Sequence, residues 1–280
     1  MSVEFLPDAI DHIDIDKVGT SLLADEHEGG TEEFNFLHLT AIADLEDSDA
    51  KDSDAWYRDA AIRSRVIVTS AGITRGMLAD DLRRRPPKEA MHELQYLASV
   101  GWHHLVYDWE MALRKNVGSI LVTGAELNHD RPERQETMRL IHTTIGHDKI
   151  PLINENDSVT HKEITFGGND ILAAQVAACM AKSNLFGDDI RLFLMTDVNG
   201  VYEDPEDAET RIPVILETDE YRRVAGGSQS ARTIGGMLAK FDAADIANNA
   251  GVPMWVFNPL MGSKADAVAG KIGTYFPAIS

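Results

Sequence analysis

Cysteine is almost absent from this sequence, with Cys179 the single example. No disulfide framework can form, and the composition suits a reducing, cytoplasmic compartment. Cys179 lies in an apolar helical stretch and reads as a small buried residue. Long hydrophobic runs are also missing, and the N-terminus is acidic rather than basic followed by apolar. Neither a membrane span nor a signal peptide is indicated. Positive charge is scarce: 26 Lys and Arg face 46 Asp and Glu, a formal net charge of −20. Such an excess repels phosphate backbones and anionic lipid, which argues against nucleic acid and membrane surfaces as partners. A pocket for an anionic small molecule must therefore supply its own lysines. No repeat of solenoid period is present.

What is present is enough apolar residue, 44% of 280, to bury the core of one large domain or two lobes. Short β-branched or apolar runs at 66–69, 120–123, 150–153, 190–195 and 254–257 alternate with helical patterns. Helices are expected from a Thr31 cap, with Glu32 and Glu33 in the first turn and Phe34, Leu37, Ala41 and Leu45 on one face, and over 89–114, 130–145 and 171–181. A last helix follows Gly235-Gly236 and is closed by Gly251. Alternation of this kind predicts an α/β sheet sandwiched by helices. Residues 44–59 are crowded with Asp, Glu and Ser and read as a solvated insertion, not a metal site. Arg83-Arg84-Arg85 reads as a loop, and the adjacent His103 and His104 point to different helix faces and form no metal pair.

Several strands end in small or polar residues, where ligands bind in open parallel sheets. Ile13 and Ile15 lead into Lys17-Val18-Gly19-Thr20-Ser21, although Asp14 and Asp16 are foreign to a buried parallel strand. The run 66–69 enters Ser70-Ala71-Gly72. The run 150–153 stops at Asn154-Glu155-Asn156-Asp157, and Phe166-Gly167-Gly168-Asn169-Asp170 follows, with Asn169 and Asp170 at N-cap positions. A helix start of that kind attracts anions. Thr196-Asp197 ends the run 190–195, and Lys240 lies one turn inside the helix that follows Gly235-Gly236. Helical side chains lean toward the N-terminus, so its ammonium can reach back over the glycines. Taken singly, each stretch has a plain competitor: a turn lysine, an Asn- and Asp-rich turn, an Asn-Gly turn, a surface helix lysine.

In order along the chain, these stretches resemble the amino acid kinase family, and within it the glutamate 5-kinase (γ-glutamyl kinase) branch. The resemblance runs from about Ile13 to Phe276 and leaves no room for the C-terminal PUA domain of many relatives. It implies a three-layer α/β/α sandwich with a mostly parallel, carbamate kinase-like sheet. A single domain would have an acid-binding lobe at roughly 1–170 and a nucleotide lobe at roughly 171–280. It further implies ATP- and Mg²⁺-dependent phosphorylation of the γ-carboxylate of L-glutamate, the first step of proline biosynthesis. Lys17 and Lys240 would neutralise the migrating phosphoryl group, with Asp170 orienting them. Ser70, Asn154, Asp157 and Asn169 would hold the amino acid, and Gly19, Thr196, Asp197, Gly235, Gly236 and Lys240 the nucleotide. Mg²⁺ would ride on ATP phosphates and waters. A homo-oligomer, dimer or tetramer, is implied, with the helix over 89–114 near the subunit interface.

Departures from the family pattern keep two alternatives open. Gly168 replaces an aspartate, and Ala71-Gly72 inverts a Gly-Ala pair, which predicts a turn one residue later and an altered acceptor: another carboxylate, a carbamate or a phosphate. Arg232 and Ile234 replace glycines and predict a stiffer loop. Together with Asp14 and Asp16 they fit a paralogue that senses nucleotide or amino acid without turnover.

Overall fold

The computed structural model describes residues 10–27, 31–45, 64–124, 126–127, 131–159, 168–204, 206–225 and 231–279. Most of the expected acidic insertion lies outside the described residues, as do Phe166, Gly167 and Pro205. In chain order the elements are β1 (Ile10–Val18), α1 (Thr20–Leu23), β2 (Ala24–His27), β3 (Thr31–Phe34), α2 (Phe36–Ala43) and β4 (Ser64–Val68). Next come α3 (Gly72–Ala79), α4 (Met91–Leu113), β5 (Val117–Val122), α5 (Pro132–Gly146), β6 (Ile150–Glu155), α6 (Gly168–Ala181) and β7 (Phe186–Met195). The chain continues through β8 (Val201–Tyr202), β9 (Arg211–Ile212), α7 (Thr218–Ala225), α8 (Ala231–Asn248), β10 (Met254–Phe257), α9 (Lys264–Val268) and β11 (Thr274–Phe276).

Seven strands form one sheet in the order β11-β10-β7-β1-β4-β6-β5. All neighbours are parallel except β10 and β11. β1 is the middle strand, and the chain leaves it first toward β4 and later toward β7, so the strand order reverses there. Side chains alternate across a strand, so each strand feeds both faces. Ile13, Ile15, Val66, Val68, Leu192 and Leu194 pack on one face with Ile141 of α5, Leu172 of α6 and Phe241 of α8. Ile67, Leu152, Phe193 and Phe257 pack on the other with Leu39 of α2, Trp109 of α4 and Ala267 of α9. The result is the expected three-layer sandwich. Among the described residues no helix is long and apolar enough to cross a membrane.

Three local expectations need correction. Thr31 does not cap a helix: Thr31–Phe34 pairs antiparallel with Ala24–His27, and Asn35 caps α2 by accepting from His38 N at 3.0 Å. A β-hairpin partner outweighs the local capping signal. Asn169 and Asp170 are not caps either, because α6 already begins at Gly168 and both lie in its first turn. Gly235 and Gly236 do not form a loop before the last helix; α8 starts at Ala231 and contains them, so Lys240 lies deeper than one turn. A helical glycine costs only about 1 kcal/mol relative to alanine, which neighbouring helix formers can offset. The acids of β1 leave the strand intact because basic side chains on β4, β7 and α9 meet them.

α3 and α4 cross in backbone contact. A Cβ placed on Gly76 would stand 2.0 Å from Leu97 O, and one on Gly101 would stand 1.7 Å from Gly72 O. Arg75 Nε donates to Asp108 Oδ2 at 2.5 Å across the same crossing. This crossing fixes where the segment after β4 enters its helix. Gly101→Ala is expected to wedge the helices apart and cost about 1–3 kcal/mol, read as a lower midpoint in urea unfolding. An unchanged midpoint would contradict the close approach.

Candidate active site

Lys17 is the penultimate residue of β1 and shares the face of Ile13 and Ile15, beneath α6 and α8. Its Nζ lies 2.5 Å from Asp170 Oδ1, and Lys240 Nζ lies 3.4 Å from Asp170 Oδ2. Asp170 is 2% exposed, Lys17 7% and Lys240 9%. Three elements distant in sequence thus bring two ammonium groups to one carboxylate. Burial pushes the Lys17 ammonium below the ordinary lysine value and Lys240 repels it further, while Asp170 opposes both. Burial alone would raise Asp170, yet the attraction of Lys17 and Lys240 prevails and holds its carboxyl below the usual carboxylate range. Lys240 also reaches Gly236 O at 3.4 Å, so the helical glycine adjoins the cluster through its carbonyl.

On the β7 side, Gly19 N donates to Met195 O at 3.1 Å and joins the ends of the two central strands. A Cβ on Gly19 would stand 3.3 Å from both Lys17 Nζ and Met195 O, so glycine leaves the ammonium room. Thr196 Oγ1 and Ser21 Oγ both donate to Asp197 Oδ1, at 3.0 and 2.8 Å. Asn258 Nδ2 donates to Asp197 O at 2.8 Å. Ser21 and Asn258 are absent from the residues that the sequence marks for this site. Ser21 stood in plain view within the glycine turn, and Asn258 follows a strand end, where the same rule that selected Thr196 applies.

On the β6 side, Asn169 Nδ2 donates to Ser70 Oγ at 3.0 Å and its Oδ1 accepts from Glu155 N at 3.4 Å. Asn154 is buried, and its Oδ1 has no hydrogen-bond partner in the structure. A buried amide oxygen without a donor is costly and suits a ligand N–H. Asp157 is half-buried in the turn after β6. Burial and then repulsion from Glu155 push its carboxyl up to about 6, against the pull of Arg85. Arg85 of the basic loop is thus near enough to attract the Asp157 carboxylate.

The segment between β4 and α3 does not turn one residue late. Ala71 itself adopts φ 74°, the left-handed region, and Gly72 begins the helix. An L-residue pays about 1–2 kcal/mol there. Ala71→Gly is expected to raise stability by about 0.5–1 kcal/mol, since glycine removes that strain and gives back part of the gain as unfolded-state entropy. Thermal unfolding measures it, and a lowered melting temperature would refute it.

Asp157 supplies a pH prediction. Its folded-state value lies above the unfolded one, so its contribution is most favourable at low pH and is lost as pH rises from the ordinary carboxylate value through about 6. Asp157→Asn is therefore expected to exceed the wild type in stability by about 1–2 kcal/mol at pH 7.5, after allowance for solvent screening. The gap should narrow at pH 4.5. Melting curves at the two pH values decide, and a gap that widens on acidification would reverse the assignment.

The amino acid kinase family matches residues 15–258. Glutamate 5-kinase of Symbiobacterium thermophilum is 35% identical over 246 residues, 85% of this chain and 84% of that protein. Glutamate 5-kinase 2 of Pseudoalteromonas translucida is 30% identical over 249 residues, covering 86% of this chain but 61% of the relative. Glutamate 5-kinase of Haemophilus influenzae is 36% identical over 67% of this chain and 50% of its own length. The chain thus spans less than two thirds of the length of these last two relatives. Among solved structures, carbamate kinase from Giardia lamblia bound to AMP-PNP superposes with a TM-score of 0.58 at 13% identity, covering 97% of this chain and 99% of that one. UMP kinase from Bacillus anthracis superposes with a TM-score of 0.51 at 16% identity, with 97% of each chain covered. Both have the same fold. A match over most of the chain, and 35% identity to a relative covered nearly end to end, establish that this chain belongs to the amino acid kinase family.

Proposed function

We propose that the chain is an ATP-dependent phosphotransferase that converts the γ-carboxylate of L-glutamate to γ-glutamyl phosphate, in the cytoplasm and as the first step of proline biosynthesis. The observation that carries this reading is the convergence of Lys17 and Lys240 on Asp170 at the sheet's reversal point. An oxygen of the acceptor carboxylate attacks the γ-phosphorus, the bond from that phosphorus to the bridging oxygen breaks, and ADP leaves with the electron pair. A carboxylate is already ionised at neutral pH, so the reaction needs no general base. It needs positive charge where the transferred group passes, and fixed geometry. Two preorganised ammonium groups held by one carboxylate meet that need.

In this reading Ser70, Asn154, Asp157 and Asn169 hold the amino acid. Asp157 faces the substrate ammonium, whose charge would restore full ionisation to a carboxyl pushed up to about 6. The unpartnered Asn154 oxygen accepts a substrate N–H. Gly19, Thr196 and Asp197 line the nucleotide side, with Gly235 and Gly236 contributing helical backbone beside Lys240. Mg²⁺ would be carried mainly by ATP phosphates and waters, as that ion commonly is, and would neutralise phosphate charge there. Tyr96, Tyr107 and Met111 are exposed along one side of α4, a surface suited to a second copy of the chain.

The test is incubation with ATP, Mg²⁺, glutamate and hydroxylamine. Hydroxamate should form with the wild type, and Lys17→Ala and Lys240→Ala should each lower kcat roughly 10²–10³-fold. Absence of product above the Lys240→Ala background would overturn the reading. Product from another carboxylate in preference to glutamate would transfer it to a different acceptor.

A further inference from the structure

Asp14 and Asp16 sit mid-sheet on the face of β1 opposite Lys17, and the chemistry proposed above makes no use of them. Asp16 is 0% exposed and Asp14 4%. Arg191 on β7 grips Asp14 with two bonds, Nε to Oδ1 at 2.8 Å and Nη2 to Oδ2 at 2.9 Å. Arg65 on β4 donates from Nε to Asp16 Oδ2 at 2.6 Å. Its two remaining nitrogens reach Ala43 O and Ile42 O at the end of α2, at 3.4 and 3.2 Å. Lys264 of α9 presses from above, 2.8 Å from Asp16 Oδ2 and 3.6 Å from Asp14 Oδ2, over the Phe193 ring. Asp16 Oδ1 has no hydrogen-bond partner.

A buried cluster that leaves a carboxylate oxygen unpaired is a poor device for stability alone, since apolar side chains of similar volume commonly serve as well or better. What such a cluster supplies is register. β1 lies between β4 and β7, and Asp14 is the register partner of both Arg65 and Arg191. On the other face Ile15 lies between Val66 and Leu192, and Ile13 between Ser64 and Ile190, so similar side chains recur two residues apart. A slip of two residues would keep every side chain on its own face, so the apolar pattern does not forbid it. The same slip would carry the strand about 6–7 Å along its axis and leave buried charges without partners. It would displace Lys17 from Asp170 by the same step.

We propose that Asp14, Asp16, Arg65, Arg191 and Lys264 are positioning residues: a charge lock on the back of β1 that sets the register of the strand and so places the Lys17 ammonium on Asp170. Lys264 extends the lock to the nucleotide side, because α9 follows the loop in which Asn258 holds the Asp197 carbonyl. The consequence for turnover rests on the function proposed above; the consequence for Lys17 does not.

Two variants and two readouts test it. In the first variant Asp14→Val, Asp16→Val, Arg65→Leu, Arg191→Leu and Lys264→Met are combined, which removes all five charges together. In the second, Lys264→Met alone leaves two acids with two arginines, a balanced set that keeps the fold if the first variant fails to express. Kinetics should show kcat reduced at least 10-fold in the first and about 3-fold in the second, with KM for ATP and acceptor changed less than 2-fold and the melting temperature held. Lys264→Arg should restore kcat. The second readout is competitive acetylation followed by mass spectrometry, with the exposed Lys271 as internal reference. The Lys17 rate should change several-fold in the variants, whether or not the wild type turns over glutamate. Wild-type kcat and wild-type Lys17 labelling in a folded variant would overturn the proposal. Loss of folding in both variants would assign the cluster to stability and overturn it as well. A wild type without turnover but with altered Lys17 labelling in the variants would defeat the functional reading and leave the lock standing.

Discussion

Two ammonium groups repel each other, and exclusion of water strengthens the repulsion. Lys17 and Lys240 share one buried place only because Asp170 lies between them, 2.5 Å from one and 3.4 Å from the other. Asp170 neutralises one charge of this pair, and Asp197 attracts Lys17 from the β7 side. In a chain of net charge −20 two lysines thus meet where anions would arrive, at the carboxyl ends of the central strands. Everything else in the architecture serves to bring a strand end, a helix first turn and the interior of a second helix to that point.

β1 carries this requirement on one face and a different charge problem on the other. Lys17 faces α6 and α8, whereas Asp14 and Asp16 face Phe193 and α9. Alternation along a strand allows this separation. Acids two residues apart share a face, and a lysine next in sequence occupies the opposite one. The acids therefore do not alter the surface around the Lys17 ammonium, which removes one of the two motives for reading the chain as a non-catalytic sensor. The other motive, Arg232 and Ile234, changes character: these residues lie in α8, whose backbone is helical from Ala231 onward.

The sheet was legible in the sequence wherever a β-branched run stopped at a polar or small residue, as at Thr69, Ile153 and Met195. Those runs are short, largely buried and followed by helical patterns, so propensity and tertiary demand agree. Where they disagreed, local signals misled. Thr31 with Glu32 and Glu33 looks like a helix start, but pairing with Ala24–His27 claims the segment. Gly235-Gly236 looks like a loop, but helix can be continued through two glycines when its neighbours support it. Contacts between residues far apart in sequence leave no mark on the pattern of either partner. Arg65 meeting Asp16, Lys264 meeting both acids, and Arg85 acting on Asp157 are of that kind.

The inverted Ala71-Gly72 pair shows why residue identity and backbone geometry part company at such sites. A turn governed by its own sequence would have moved its left-handed residue onto Gly72. Instead Ala71 holds φ 74°. Its surroundings leave no other course. Thr69 N is bonded to Ile153 O at 2.9 Å, and Trp109 Nε1 donates to Thr69 Oγ1 at 3.0 Å. One residue on, Ser70 Oγ accepts from Asn169; beyond the turn, Gly72 O lies against the backbone of α4 at Gly101. With both ends of a three-residue segment held, only a few sets of dihedral angles close the chain between them, and in the set adopted the residue in the middle bears the strain. The segment from Ser70 to Gly72 is thus shaped by packing between α3, α4 and β6.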